Sequence, residues 1–247
     1  MTGMLYGIGV GPGESALMTI KAVRMIEKCD MIAVPVSDAS LKEPVRDDAG
    51  KRSYGKYLEN CTAYKIALPE APDMEEKPIL YLPMPMMKDK EILKVIHDAG
   101  AKKIMDYLDE GKTIGFLTLG DPSVYSTYLY IHKRVVRRGY KAEIIPGIPS
   151  FCAAAARLNI GIAENREEIH ILPASYEIEE GLKLSGTKIL MKTGKKMPYV
   201  KETVKQHGDR FFMVENCGME NEKIYEDIEE VPDRSSYYSL IMIKEES

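Results

Sequence analysis

Three apolar runs, Met4–Val10, Thr113–Leu119 and Ala142–Ile145, each end in a glycine- or proline-rich turn and pass directly into helical spacing. The turns read "GVGPGES", "GDPSVYST" and "PGIPS". A strand that leads through a tight turn into a helix and on to another strand is the signature of parallel pairing, because parallel neighbours need a crossover. Ligands of open α/β sheets bind beyond the carboxyl ends of the strands. The three turns are therefore expected on one edge of one sheet, and their convergence says more than any one of them alone.

The rest of the chain extends this pattern. A helix is expected from about Ser15 to Lys28, with Leu17, Ile20, Val23 and Ile26 on one side. A second strand follows at Met31–Val36. From Ser37 to Asn60 the chain turns polar with charges of both signs, which predicts a long loop or a poorly ordered insertion. Ile79–Pro83 reads as a strand, Asp89–Glu110 as a long helix and Thr127–Arg138 as another. The small-residue run "FCAAAARLN" suits a helix packed closely on a neighbour. Beyond Gly161 the pattern mixes: strands at Ile169–Leu172, Lys188–Met191 and Phe211–Glu215, and a helix at Met197–His207. Lys223–Ile228 and Tyr237–Lys244 read as a closing antiparallel pair. The expected architecture is α/β in two domains: an all-parallel half over residues 1–148 and a mixed half over 149–247.

Composition narrows the function. With 247 residues, 45% of them hydrophobic, the chain can bury a sizeable core. Its net charge of −4 offers no basic field for nucleic acid. Cys29, Cys61, Cys152 and Cys217 are scattered without zinc-ligand or redox spacing, so neither a metal site nor a disulfide framework is expected. No apolar run approaches membrane-spanning length, and no basic stretch followed by an apolar core opens the chain. A reduced cytoplasm is the expected compartment.

The opening turn invites a nucleotide reading that its spacing refuses. A dinucleotide fingerprint needs glycine at its first, third and sixth positions. Counted from Gly7 the sixth residue is Pro12; counted from Gly9 it is Glu14. No Gly-Lys-Ser/Thr follows, so it is not a P-loop. A tight turn requiring positive φ is the bland alternative. In "LGDPSVYST", Asp121 can take a ribose hydroxyl or a cation, or simply cap the following helix together with Ser123; Ser126 and Thr127 add hydroxyls. In "IIPGIPSF", Ser150 is placed to cap a helix whose N–H groups face a ligand.

Together, "YGIGVGPGESALMTIKAVRMI", "FLTLGDPSVYSTY" and "IIPGIPSFCAAAARLNI" resemble the tetrapyrrole methylase family over essentially the whole chain. "LTLGDPSVYST", "PGIPSFCAAAARL" and "LPMPMMKD" resemble its precorrin-2 C-20 methyltransferase branch. The resemblance implies a homodimer of two-domain subunits that binds S-adenosylmethionine between the domains and methylates a reduced tetrapyrrole, with or without cobalt. By motif, the cofactor is expected at Gly120, Asp121, Pro122, Val124 and Tyr125, with Ser126 and Thr127 extending that edge. Ser150 and Phe151 are expected to contribute from the third turn. Met191 of "ILMK", Asn216 and Ser239-Leu240 are expected from the second domain, and Pro12 at the cofactor's edge. Other ring-carbon methylases of the family are the nearest alternative; outside the class stand a nicotinamide oxidoreductase and a non-catalytic tetrapyrrole-binding protein.

Methyl transfer from a sulfonium is an in-line displacement, so no Ser-His-Asp or Cys-His array is required. A proton must still leave the methylated carbon. Asp121 and Tyr125, and by type His170 and Glu215, are the candidate bases. Gly9 and Gly11 would let the backbone approach a flat substrate. Arg46, Lys51, Arg52 and Lys56 of the polar insertion suit its carboxylates, with Tyr54 and Tyr57 against the ring; a solvated loop is the competing reading. Met84, Met86 and Met87 are expected to fill core or a lid, and His97, His132 and His207 to be structural or exposed.

Overall fold

The structure, a computed structural model, describes residues 3–174, 177–193, 196–206 and 210–245. His207 lies outside them. The chain divides into two compact units, Met1–Pro149 and Ser150–Ser247.

The first unit is built on a six-stranded sheet. Its strands are β1 (Met4–Gly9), β2 (Met31–Val36), β3 (Val45–Asp47), β4 (Ile79–Pro83), β5 (Thr113–Thr118) and β6 (Ala142–Ile145), in the order β3-β4-β2-β5-β1-β6. Every neighbouring pair is parallel except β3 with β4. The expected all-parallel half therefore carries one antiparallel edge strand.

Burial on both faces explains the near-continuous apolar runs. Along β2, Ile32, Val34 and Val36 join one core and Met31 and Ala33 the other; along β4, Ile79 and Tyr81 alternate with Leu80 and Leu82. The first core is closed by α1 (Ile20–Lys28), α2 (Lys56–Glu59) and α3 (Thr62–Ala67), through residues such as Ile26, Tyr57 and Ile66. The second is closed by α4 (Lys90–Asp109) and α5 (Tyr128–Arg137), through Ile104, Leu108, Ile131 and Val135. Each such side chain contributes about 1.5–3 kcal/mol by leaving water.

Two expectations change here. The first helix starts later than its spacing suggests. Ser15–Leu17 is a single tight turn, and α1 begins after Thr19, whose hydroxyl accepts the Ala22 N–H at 3.1 Å. Local capping thus overrides periodicity. The polar insertion, moreover, is folded. Asp47, 3% exposed, accepts the N–H groups of Ser53 and Tyr54 and the Tyr81 hydroxyl, each at 3.0–3.1 Å. The rings of Tyr54, Tyr57 and Tyr81 pack against one another with centroids 5.9–6.5 Å apart. These contacts are tertiary and leave no period in the sequence.

The second unit opens with α6 (Ser150–Leu158) and adds β7 (Ile169–Pro173), α7 (Glu179–Leu182), β8 (Thr187–Met191), α8 (Met197–Lys205), β9 (Arg210–Glu215), β10 (Lys223–Tyr225) and β11 (Ser239–Lys244). Its sheet has the order β10-β9-β11-β8-β7. β7 and β8 are parallel; all other neighbours are antiparallel. β10 and β11 do not pair with each other as expected. They flank β9 on opposite sides, because β9 offers both of its edges to them. On one face, Leu190, Met213, Ile241 and Ile243 meet α7 and α8; on the other, Ile189, Phe212, Val214 and Met242 meet Ala154 and Ala155 of α6.

Candidate active site

β1 lies between β5 and β6, so the turns that follow these three strands meet at one carboxyl edge of the first sheet. Their backbones touch. Gly11 N–H donates to the Gly120 carbonyl at 3.3 Å, and Gly120 N–H donates back to the Gly11 carbonyl at 2.8 Å. Both residues have positive φ, +80° and +69°, which side-chain-bearing residues adopt at a cost of about 1–2 kcal/mol. A Cβ on Gly9 would stand 2.6 Å from the Gly120 carbonyl oxygen and 2.6 Å from the Gly147 nitrogen. The glycines of the opening turn thus let the second and third turns close onto it.

Asp121 ties the arrangement together. It is 9% exposed. One carboxylate oxygen accepts the N–H and the hydroxyl of Ser123; the other accepts the Gly147 N–H at 3.0 Å. Further along the turn the Thr118 and Ser126 hydroxyls are 2.8 Å apart, and Ser126 Oγ accepts the Tyr128 N–H at 3.1 Å. Ser126, not Thr127, therefore caps α5. Between these anchors Tyr125 is held at φ +47° with 45% of its surface exposed. A bulky side chain in that region costs about 1–3 kcal/mol and persists only where its surroundings impose it. Pro12, Gly120 and Pro122 are buried, Val124 and Thr127 half-buried.

In the second unit, β8 and β9 run in the same direction with β11 between them. Leu240 pairs with Met191, and Ser239 with Glu215. Met191, Asn216, Ser239 and Leu240 are thereby gathered at one end of that sheet. Two residues beyond glycine's usual company stand there with positive φ: Lys192 at +62° and Asn216 at +53°. Asn216 is fixed by Ser236, whose hydroxyl donates to its Oδ1 at 2.7 Å, and by its own N–H to the Tyr238 carbonyl. Burial pushes the Lys192 ammonium below the ordinary lysine range. Lys192 carried no sequence signal; only its backbone and burial mark it. Ser150 is the first residue of α6 rather than its cap, and Phe151 beside it is half-buried.

The candidate bases separate. Asp121 already receives three donors. Glu215, 7% exposed, accepts the Ser236 N–H and the Tyr225 hydroxyl. His170 sits near the amino end of β7, within 2.9 Å of the Ser185 carbonyl, and so at the opposite end of the sheet from Met191. Tyr125 alone among them presents a largely exposed side chain.

Of the insertion's cations, Arg46 is placed apart from the glycine turn. Arg46 belongs to β3, four strand spacings or about 19 Å from β1 across the sheet. It pairs with Asp48 and stands over the Tyr107 ring. Arg52 donates to the carbonyls of Asp48, Lys51, Glu75 and Lys77, which makes it a structural tie. Lys51 and Lys56 are exposed, with Lys56 over the Tyr57 ring. Met84 is buried, as expected of a core methionine, whereas Met86 and Met87 are exposed. His97 stacks on Tyr130 with centroids 4.6 Å apart, and His132 Nδ1 lies 3.0 Å from the Tyr128 hydroxyl. Among the described residues, no cluster of His, Cys, Asp and Glu is placed to hold a metal ion, and no helix is long and apolar enough to cross a membrane.

Two α/β units, the first with glycine-held turns gathered at the carboxyl edge of a largely parallel sheet, define an α/β protein with a sheet edge of the kind that receives ligands. Residues 4–232 match the profile of the Tetrapyrrole (Corrin/Porphyrin) Methylases, and the chain belongs to that family. It is 34% identical to a probable cobalt-precorrin-2 C(20)-methyltransferase of Methanocaldococcus jannaschii, over 97% of this chain and 95% of the other. It is 27% identical to a precorrin-2 C(20)-methyltransferase of Sinorhizobium sp, over 98% and 95%. Its fold resembles a uroporphyrin-III C-methyl transferase from Thermus thermophilus solved with S-adenyl homocysteine. The TM-score is 0.67 at 16% identity, with 98% of each chain covered.

Proposed function

We propose that this chain transfers the methyl group of S-adenosylmethionine to C-20 of precorrin-2 or cobalt-precorrin-2, in cobalamin biosynthesis. The observation that carries the reading is end-to-end similarity to C-20 methyltransferases in a chain whose three glycine turns are locked together at one sheet edge.

The residues fit the cofactor by their chemistry. The Gly120–Thr127 turn offers backbone donors and acceptors beside hydroxyls and an exposed aromatic ring. Half-buried Met191 offers apolar surface, with the buried Leu240, Ser239 and Asn216 beside it. When bound, S-adenosylmethionine supplies an electrophilic methyl group on a sulfonium. The chain's part is to orient and to exclude water. Pro12, Gly120, Pro122, Val124, Tyr125, Ser126 and Thr127 serve that end in the first unit. Ser150, Phe151, Met191, Asn216, Ser239 and Leu240 serve it in the second. Apolar and carbonyl surroundings suit a charge that disperses during transfer. Gly9 and Gly11 bring the opening turn against the substrate's side of the edge. Arg46, Lys51 and Lys56 offer positive charge to its carboxylates. A dimeric, cytoplasmic enzyme completes the reading, and light scattering tests the dimer.

The deciding experiment is anaerobic incubation with S-adenosylmethionine and precorrin-2, with and without cobalt. The expected product is one methyl heavier by mass, with the new carbon located at C-20 by NMR. A methyl on another ring carbon would assign the chain to a different branch of its family. Thermal stabilisation by NAD and not by S-adenosylhomocysteine would overturn the reading altogether.

A further inference from the structure

Asp121 combines two features that neither a base nor a direct cofactor contact requires. Its carboxylate is nearly buried, and both of its oxygens accept hydrogen bonds from the protein itself. The donors belong to two different turns. Ser123 lies in the same turn as Asp121, and Gly147 in the turn after β6. A general base needs a lone pair within reach of the proton it removes. Here the donors of Ser123 and Gly147 take three of the carboxylate's roughly four lone-pair directions.

We propose that Asp121 is a positioning residue: its carboxylate clamps the turn after β6 onto the turn after β5 and thereby pre-forms the surface that receives S-adenosylmethionine. The clamp completes a set of restraints on one short segment. On the β1 side, Gly120 exchanges two backbone hydrogen bonds with Gly11. On the β6 side, Asp121 holds Gly147. Within the segment, Val124 N–H donates to the Asp121 carbonyl at 3.2 Å, and Thr118 and Ser126 join its ends. Held so, Tyr125 stays in its left-handed conformation. A strained backbone needs surroundings that over-determine it, and a charged acceptor with three donors is the strongest of these restraints. Removing the carboxylate leaves the Gly147 N–H without this acceptor and frees the two turns to separate. The cofactor then has to order them on binding, and affinity falls by the cost of that ordering.

The proposal rests on the methyltransferase reading above, and its test keeps the two apart. Wild-type protein is first titrated with S-adenosylhomocysteine by calorimetry. Absence of binding there would reject the function itself. Asp121→Ala and Asp121→Asn are then compared with wild type in four measurements: the Kd for S-adenosylhomocysteine, the Kd for precorrin-2 by absorbance, hydrogen exchange of the 146–149 segment, and the pH profile of kcat at saturating cofactor. The expected result for Asp121→Ala is a cofactor Kd raised about tenfold to a hundredfold, the loss of a hydrogen bond to a charged group. Precorrin-2 affinity should stay within about twofold. Exchange at Gly147 should quicken and the kcat profile keep its shape. Asp121→Asn retains one acceptor oxygen and should fall between the two. Loss of a limb of the pH profile in Asp121→Asn would make the residue a base and overturn the proposal. So would a lowered melting temperature with unchanged cofactor affinity, or equal weakening of both ligands.

Discussion

Gly11 and Gly120 exchange two backbone hydrogen bonds, 3.3 and 2.8 Å long, each from a residue with positive φ. The opening turn is therefore a structural partner of the second turn before it is anything else. This accounts for glycines that match no nucleotide fingerprint. Gly9 is where the opening turn's backbone approaches both other turns closely, and Gly11 is where the chain needs a left-handed conformation. The two roles predict different penalties. At Gly11 a Cβ finds its nearest neighbour at 3.4 Å, so Gly11→Ala carries only the backbone cost of about 1–2 kcal/mol. At Gly9 a Cβ meets backbone atoms of both other turns at 2.6 Å, and these cannot swing away as a side chain can. Urea unfolding should show Gly9→Ala as the more destabilising by at least about 1 kcal/mol. Equal midpoints would show that the turns are not in contact. Gly11→Val should lower methyl transfer more than stability, and normal turnover by that variant would remove the turn from the site.

Asp47 predicts a large structural effect far from the cofactor turns. It is the acceptor for two backbone N–H groups and the Tyr81 hydroxyl in a segment that would otherwise be a loop. Burial and this hydrogen bond together raise the Tyr81 phenol far above its ordinary range, so the hydroxyl stays a donor. Asp47→Ala should cost about 2–4 kcal/mol, the penalty for stranding buried donors. S-adenosylhomocysteine affinity in the folded variant should stay within about twofold. A cost below about 0.5 kcal/mol would mean that the insertion folds without this carboxylate.

The insertion's cations divide by what they touch. Arg52 is consumed by four carbonyls. Arg52→Gln should therefore lower the unfolding midpoint, with a small effect on substrate affinity. Lys51 and Lys56 keep exposed charge and Arg46 shares its own with Asp48, and replacing all three with glutamine should weaken precorrin-2 binding about tenfold in low salt and less at high ionic strength. Unchanged affinity at low salt would return the segment to a solvated surface.

Much of this was legible in the sequence, because both faces of the first sheet are buried. Runs such as Met31–Val36 and Ile79–Pro83 are apolar throughout, and each lies in the structure where its residues place it. The three turns were legible as strand-to-helix breaks, and family resemblance attached a ligand to them. The partner of Asp121 was not. Gly147 is far away in sequence, and only the order β5-β1-β6 brings the two turns side by side. The insertion failed for a related reason. Asp47 and Arg52 act through backbone atoms of other segments, which no periodicity reports. Lys192 stands out only through its positive φ and its burial, whereas Asn216, also at positive φ, was already expected from the family resemblance. Sequence can hint at such a conformation for asparagine, but hardly for lysine.

His97 makes stability depend on pH with a definite sign. It is 6% exposed and stacked on Tyr130. Burial, and then the nearby Arg134 guanidinium, hold its pKa below the usual histidine value near 6.5, while Asp98 opposes them weakly. The unfolded chain therefore binds a proton at a pH where folded His97 stays neutral. Stability from this group is fully present above about pH 6.5 and is lost as pH falls toward the depressed folded value. His132, also lowered by burial, adds to the same slope. His97→Phe keeps a flat ring against Tyr130 and removes one of the two titrations. Its melting temperature should accordingly fall less than that of wild type between pH 7 and pH 5. Parallel curves for the two proteins over that interval would mean that His97 titrates normally in the folded state, with its stack open to water.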